Sequence, residues 1–254
     1  MKKFVGLLKR EDMLNSTHLY VVLALIILAI SLVPIGIERY NPMHETEQNR
    51  FIIVLACAVM VGANAVFMTI ASINRDIKIK ELWLHNTQSI YKLVGVKVIY
   101  QLIALLLIGL INFCGLFFVG DIVEGTFSQF IVLAAMYLYI LAATFILIVI
   151  FVIFYNSLLK QLVAWFGKLG NVIGFIGLFV FLSFSGNETA SIPALKIGYV
   201  SFSNLEERLP TFNDANITLN MMFDFYILEE LILLVIFTLL YIVACKWLER
   251  VITR

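Results

Sequence analysis

Long runs without a charged residue constrain the fold of this chain more than any other feature. The clearest are Leu19–Ile37, with 19 residues, and Phe51–Ile73, with 23 residues. A helix needs about 20 mostly apolar residues to cross the hydrocarbon core of a bilayer. Of all residues, 62% are hydrophobic and 14% charged, whereas a soluble domain is roughly half apolar and a quarter charged. The sequence therefore predicts a protein that crosses a membrane several times.

These runs predict an all-α membrane protein with six transmembrane helices in a single transmembrane domain, residues 1–254. The predicted spans are at about residues 19–37, 51–73, 98–120, 127–155, 169–186 and 225–246. The sixth run, Leu231–Cys245, has only 15 residues and must include Phe225–Glu230 to cross. A long loop, residues 186–224, then lies between spans five and six, on the outer side.

The distribution of charge orients the six spans. Of the 18 Lys and Arg residues, 14 fall on the side of the two termini and 4 on the other side. Because cytoplasmic loops carry the excess of Lys and Arg, both termini are predicted to be cytoplasmic. Twelve of the 17 acidic residues fall on the outer side, so the outer face is predicted to be net acidic. The net charge of +1 gives no support for nucleic-acid binding.

The first 17 residues combine apolar and basic side chains. Phe4, Leu7 and Leu8 share one helical face, and Lys9 and Arg10 lie elsewhere. This pattern favours a helix lying in the cytoplasmic headgroup region. The alternative is a basic tail that only sets the topology.

Residues 75–92, RDIKIKELWLHNTQSIYK, carry dense charge between two apolar runs. Such charges cannot remain in hydrocarbon, so this segment must lie at the cytoplasmic surface or protrude from it. There it presents Trp83 and Leu84, and Asn86, Thr87 and Ser89 offer N-caps for the next helix. An exposed apolar cluster marks a partner site, but Trp and Tyr also anchor helices at membrane boundaries. The residues alone leave both interpretations open.

A longer form of this segment, KELWLHNTQSIYKLVGVKVI (residues 80–99), resembles a family of membrane proteins. It is similar to the region after the second span in ABC-2-type permease subunits of bacterial ATP-binding-cassette exporters. Their pattern is Glu-Leu, a polar turn, a basic residue and Gly-x-Lys, which Glu81-Leu82, Asn86–Ser89, Lys92 and Gly95–Lys97 match. The six-span layout, the N-terminal interfacial helix and the long outer loop also agree with that family. Within it, the chain is most similar to permeases that export phenol-soluble modulins, which are amphipathic peptides.

This resemblance implies a coupling loop that docks into a cytoplasmic ATPase subunit. The matching coupling residues are Glu81, Leu82, Trp83, Leu84, His85 and Asn86. It also implies a second permease copy or paralogue, an amphipathic peptide cargo, and ATP with Mg on the partner ATPase. The location implied is the bacterial cytoplasmic membrane. Export of peptide antibiotics or drugs, an immunity role, and a non-transporting sensor or anchor remain alternatives.

No catalytic or metal-binding set is predicted in this chain. Gly120–Gly125 has the spacing of a phosphate-binding loop but lacks its Lys. HExxH and GxSxG motifs do not occur, and the three Cys residues have no metal-ligand spacing. We therefore expect no enzyme activity and no cofactor in this chain.

Polar residues within spans and a row of glycines complete the candidate residues. Glu229 and Glu230 are predicted either to line a translocation path or to bond to the outer loop. Asn64 and Asn112 are further path candidates, although hydrogen bonds between helices are the favoured interpretation. Gly167, Gly170, Gly174 and Gly177 fall within an arc of about 80° on a helix and predict close helix packing. By the resemblance, this fifth span lies near the interface between two permease subunits.

Overall fold

The regular secondary structure of the described residues is helical apart from four two-residue strands. The computed structural model describes residues 2–40, 46–78, 89–115, 123–124, 126–187, 199–200, 211–212 and 225–253. These residues form six helices: α1 Lys2–Tyr40, α2 Thr46–Lys78, α3 Ile90–Cys114, α4 Phe127–Phe166, α5 Leu169–Asn187 and α6 Ile227–Thr253. The strands are β1 Val123–Glu124, β2 Tyr199–Val200, β3 Thr211–Phe212 and β4 Phe225–Tyr226.

Five of the helices are long and apolar enough to cross a membrane. They are α1, α2, α3, α4 and α6, whereas the corresponding apolar part of α5, Leu169–Val180, is shorter. This confirms the prediction of an all-helical, multi-pass membrane protein. Six spans and two cytoplasmic termini stay predictions.

Two helices are much longer than the hydrocarbon core is thick. α1 has 39 residues and α4 has 40, which correspond to about 60 Å each at 1.5 Å per residue. The hydrocarbon core measures about 30 Å. The predicted interfacial helix at residues 1–17 and the predicted first span belong to one continuous helix, α1. An interfacial position for residues 1–17 stays a prediction.

The described residues divide into two compact units, each with its own core. The first consists of Met1–Thr69, Val96–Ile146 and Ser203–Met222. Its buried apolar side chains come from four helices and include Ile26, Val54, Val61, Leu105, Ile108 and Phe145. β1 and β3 pair antiparallel in this unit, with Val123 opposite Phe212 and Glu124 opposite Thr211.

The second unit consists of Ile70–Gly95, Leu147–Phe202 and Phe223–Arg254. Its buried side chains include Ile73, Val94, Val149, Ile153 and Leu248. The rings of Phe154 and Trp247 stack, with centroids 5.4 Å apart, and tie α4 to α6. β2 and β4 pair antiparallel, with Tyr199 opposite Tyr226.

Candidate functional site

The predicted coupling loop joins α2 to α3. Its six coupling residues, Glu81 to Asn86, lie outside the described residues. The structure describes both ends of the loop. α2 ends at Lys78, and Ser89 occupies the N-cap position of α3, where its carbonyl oxygen accepts hydrogen bonds from the Lys92 and Leu93 N–H groups. Ser89 was one of the three caps offered by the sequence.

Two turns into α3, Lys97 forms a buried ion pair with α1. The Lys97 Nζ atom lies 2.7 Å from Glu11 Oε1, and the two side chains are 2% and 5% exposed. An isolated buried charge is very costly, and a paired one is tolerated when its remaining polar atoms are also hydrogen-bonded. This pair therefore fixes α1 against the beginning of α3.

Neighbouring polar groups complete this contact within the first unit. Asn15 donates to the Glu11 backbone oxygen at 3.0 Å and to its second carboxylate oxygen at 3.4 Å. Tyr100 donates to Asp12 Oδ1 at 3.3 Å. Both carboxylate oxygens of Glu11 are thereby hydrogen-bonded, as a buried charge requires.

A small cavity lined by polar and apolar side chains lies next to these residues. It has a volume of about 20 Å³ and is lined by Asn15, His18, Leu19, Asn64, Tyr100, Gln101, Ala104 and Ile108. His18 Nε2 and Asn64 Oδ1 lie 3.1 Å apart and connect α1 with α2. The cavity has room for about one water molecule. We call Glu11, Asp12, Asn15, His18, Asn64, Lys97, Tyr100 and Gln101 the α1–α3 polar cluster.

Asn112 connects three helices at the other end of α3. Its Nδ2 atom donates to the Val54 backbone oxygen and to the Tyr137 hydroxyl, both at 2.9 Å. The side chain is fully buried. Asn64 and Asn112 thus both make hydrogen bonds between helices. A role for either in a translocation path stays a prediction.

A second polar cluster lies in the other unit, around the end of α2. Lys160 and Asn156 on α4 both donate to Asn74 Oδ1, at 2.5 Å and 3.4 Å. Gln161 donates to the Trp247 backbone oxygen on α6 at 2.8 Å. In the same unit the Tyr241 hydroxyl donates to the Tyr91 backbone oxygen at 2.7 Å. These bonds connect the end of α2 and the beginning of α3, which flank the predicted coupling loop, to segments of α4 and α6.

The glycine row differs from its prediction at Gly167. This residue lies in the turn after α4 with a φ of 58°, a left-handed conformation that glycine adopts without strain. Its N–H donates to the Val163 carbonyl oxygen at 2.9 Å, so it caps α4 instead of packing a helix face. The row within α5 therefore begins at Gly170.

Glu229 and Glu230 lie in the first turn of α6. Their side chains are outside the part of the chain that the structure describes. Whether they line a path or bond to the outer loop stays open as a prediction. Within the described ranges, no three His, Cys, Asp or Glu side chains come together in a way that could hold a metal ion.

The Glu11–Lys97 pair was missed by the sequence analysis, although the sequence carries a signal for it. Glu11, Asn15 and His18 follow a spacing of four and three residues, which places them on one helix face. Lys97 lies at the start of an apolar run and needs a partner if it is buried. These two features mark Glu11 and Lys97 as candidates for polar contacts, but neither identifies the other as its partner.

No family model, curated protein or solved structure matches this chain. The resemblance described for residues 80–99 therefore rests on those residues and on the predicted layout.

Proposed function

We propose that this chain is the permease subunit of an ATP-binding-cassette exporter of the ABC-2 type. It would move amphipathic or hydrophobic peptides out of the bacterial cell. ATP hydrolysis would occur on a separate cytoplasmic subunit that docks on residues 75–92. The resembling segment, residues 80–99, and the five helices long enough to cross a membrane support this proposal.

The observation that carries the proposal is the buried ion pair at Lys97. Lys97 is the last residue of the matching Gly-x-Lys pattern, and Glu11 holds it against α1 at 2.7 Å. The predicted coupling loop thus leads into a helix whose second turn is fixed to another helix. In the proposed mechanism, a push on the loop would pass along α3 to Lys97 and its partner Glu11.

A second permease copy or paralogue would complete the path for the cargo. Amphipathic peptides partition into the bilayer surface, so they would enter sideways from the inner leaflet. The acidic outer face predicted from the sequence would attract their basic side chains. Glu229 and Glu230 are the candidate acidic groups at the exit, and Asn64 and Asn112 are candidates along the path.

ATP turnover with and without cargo tests this function. The permease and the ATPase that co-purifies with it are reconstituted in lipid vesicles, and phosphate release is measured. We expect an amphipathic helical peptide to stimulate turnover severalfold. A scrambled peptide of the same composition, which has no apolar face, is the matched control and should not stimulate.

Three results would contradict the proposal in different ways. Binding of an ATPase without any peptide-dependent turnover or transport would indicate a sensor or anchor. Equal stimulation by the helical and the scrambled peptide would contradict amphipathic peptides as cargo. Stimulation by small hydrophobic drugs alone would assign the chain to drug efflux.

A further inference from the structure

The turn between α4 and α5 exposes two aromatic side chains beside a lysine. Trp165 and Phe166 are 60% and 53% exposed, and their rings meet edge to face with centroids 6.5 Å apart. Lys168 follows them in the turn and is also exposed. Gly167 allows the chain to reverse within two residues, so these three side chains are displayed at the tip of the α4–α5 hairpin.

The polar contacts of the second unit indicate how far this tip lies from the membrane. Lys160, Gln161 and Asn74 form a polar layer at the predicted cytoplasmic ends of α4 and α2. Trp165 follows Lys160 by five residues, which is about 7 Å along a helix. A headgroup layer is roughly 5–7 Å thick on each side of the core. The tip therefore lies about one headgroup-layer thickness beyond this polar layer.

The length of α5 also limits how far the α4–α5 turn can lie from the hydrocarbon core. α5 has 19 residues, or about 28 Å at 1.5 Å per residue, and the hydrocarbon core measures about 30 Å. As the predicted fifth span, α5 would cross the core only if it begins at the edge of the core. A tip projecting far into the cytoplasm would leave α5 too short to cross.

The charge around the tip favours one kind of lipid. Residues 125–187 contain no Asp and no Glu, and their only charged residues are Lys160 and Lys168. Lys160 is bound to Asn74, so Lys168 is the other charge within residues 125–187. A lysine near the membrane surface is attracted to anionic headgroups. Tryptophan prefers the interface because its ring is apolar and its N–H can donate a hydrogen bond.

We infer that the α4–α5 turn is an anchoring site for anionic phospholipid headgroups, in which Lys168 binds the phosphate and Trp165 and Phe166 insert beside it. This inference rests on α5 being the predicted fifth span, with the α4–α5 turn on the predicted cytoplasmic side, and does not depend on an ATPase partner. It assigns the exposed aromatic pair to lipid, whereas residues 75–92 are assigned to a protein partner.

Fluorescence of Trp165 tests the site. The emission of the Trp165→Phe variant is subtracted from that of the wild type, each purified as the full chain and reconstituted in vesicles. Lipids brominated either near the headgroup or near the end of the acyl chain act as quenchers. We expect the difference signal to be quenched severalfold more by the bromines near the headgroup, and its emission to shift to shorter wavelength when anionic phospholipid is added.

Two lysine variants separate a specific site from general attraction. The shift with anionic lipid should be lost in Lys168→Gln and retained in Lys246→Gln, which removes an equal charge from an exposed position on α6. An equal shift in both variants would overturn the role of Lys168. Quenching of the difference signal by aqueous iodide, with none by either brominated lipid, would overturn membrane insertion. Because no ATPase is present, neither result depends on the proposed function.

Discussion

Replacement of Lys97 by Met is expected to destabilise the protein by about 3–5 kcal/mol. The variant leaves Glu11, which is 5% exposed, as an uncompensated buried charge or forces it to take up a proton. Simultaneous replacement of Glu11 by Leu and Lys97 by Met should recover most of this loss, because a buried ion pair replaced by apolar side chains is often neutral in stability. The measurement is the midpoint of unfolding by heat and by SDS in mild detergent.

Lys92→Met is the matched control for this prediction. Lys92 lies on the same helix but is exposed, so its replacement should change the stability by about 0.5 kcal/mol or less. The interpretation of the ion pair is wrong if Lys97→Met is as stable as Lys92→Met. If the double variant is as unstable as Lys97→Met alone, the unpaired charge is not the cause of the loss.

Replacement of Gly170 by Ala is expected to destabilise the α4–α5 hairpin by about 1–3 kcal/mol. A Cβ atom at Gly170 would overlap with the Leu162 carbonyl group and the Val163 nitrogen. Both belong to the backbone of α4, so the two helices would have to move apart. At Gly174 a Cβ atom would overlap with the end of the Leu159 side chain, which can rotate away, so Gly174→Ala should cost less.

Gly177→Ala provides the control on the same helix. Among the described residues no atom lies within 4 Å of the position that a Cβ would take there. Alanine in place of glycine within a helix increases stability by roughly 0.5–1 kcal/mol, so this variant should be as stable as the wild type or more stable. Equal melting temperatures for the Gly170 and Gly177 variants would contradict close packing at Gly170.

The helical, multi-pass character was predictable because it depends on local sequence. A run such as Leu19–Ile37 must avoid water and satisfy its own backbone hydrogen bonds, and within a membrane a helix does both. The ends of the helices were less predictable. α3 begins at Ile90, whereas hydropathy placed the beginning of the third span at residue 98. Apolarity marks the part of a helix in hydrocarbon, and helices continue into polar regions.

The Glu11–Lys97 pair was not predictable from local sequence, because the two residues are 86 positions apart. Glu11 lies among Lys9, Arg10 and Asp12. A charged stretch of this kind is expected at a membrane surface, so it gives no sign that Glu11 is buried. Only the packing of α1 on α3 shows that Glu11 is buried. The position of Gly167 was also not predictable from local sequence. Its spacing from Gly170 fits a helix face as well as a turn, and the observed φ of 58° shows that it lies in a turn.

Co-purification with an ATPase is the most direct test of the account. The wild type and a Trp83→Ala, Leu84→Asp double variant are purified in mild detergent from the native host, and the proteins that accompany each are identified. The account predicts that an ATP-binding-cassette ATPase accompanies the wild type and is lost from the double variant, while both chains are recovered in equal amounts. If no such ATPase accompanies either protein, residues 75–92 are not a coupling loop and the proposal of a permease subunit is contradicted.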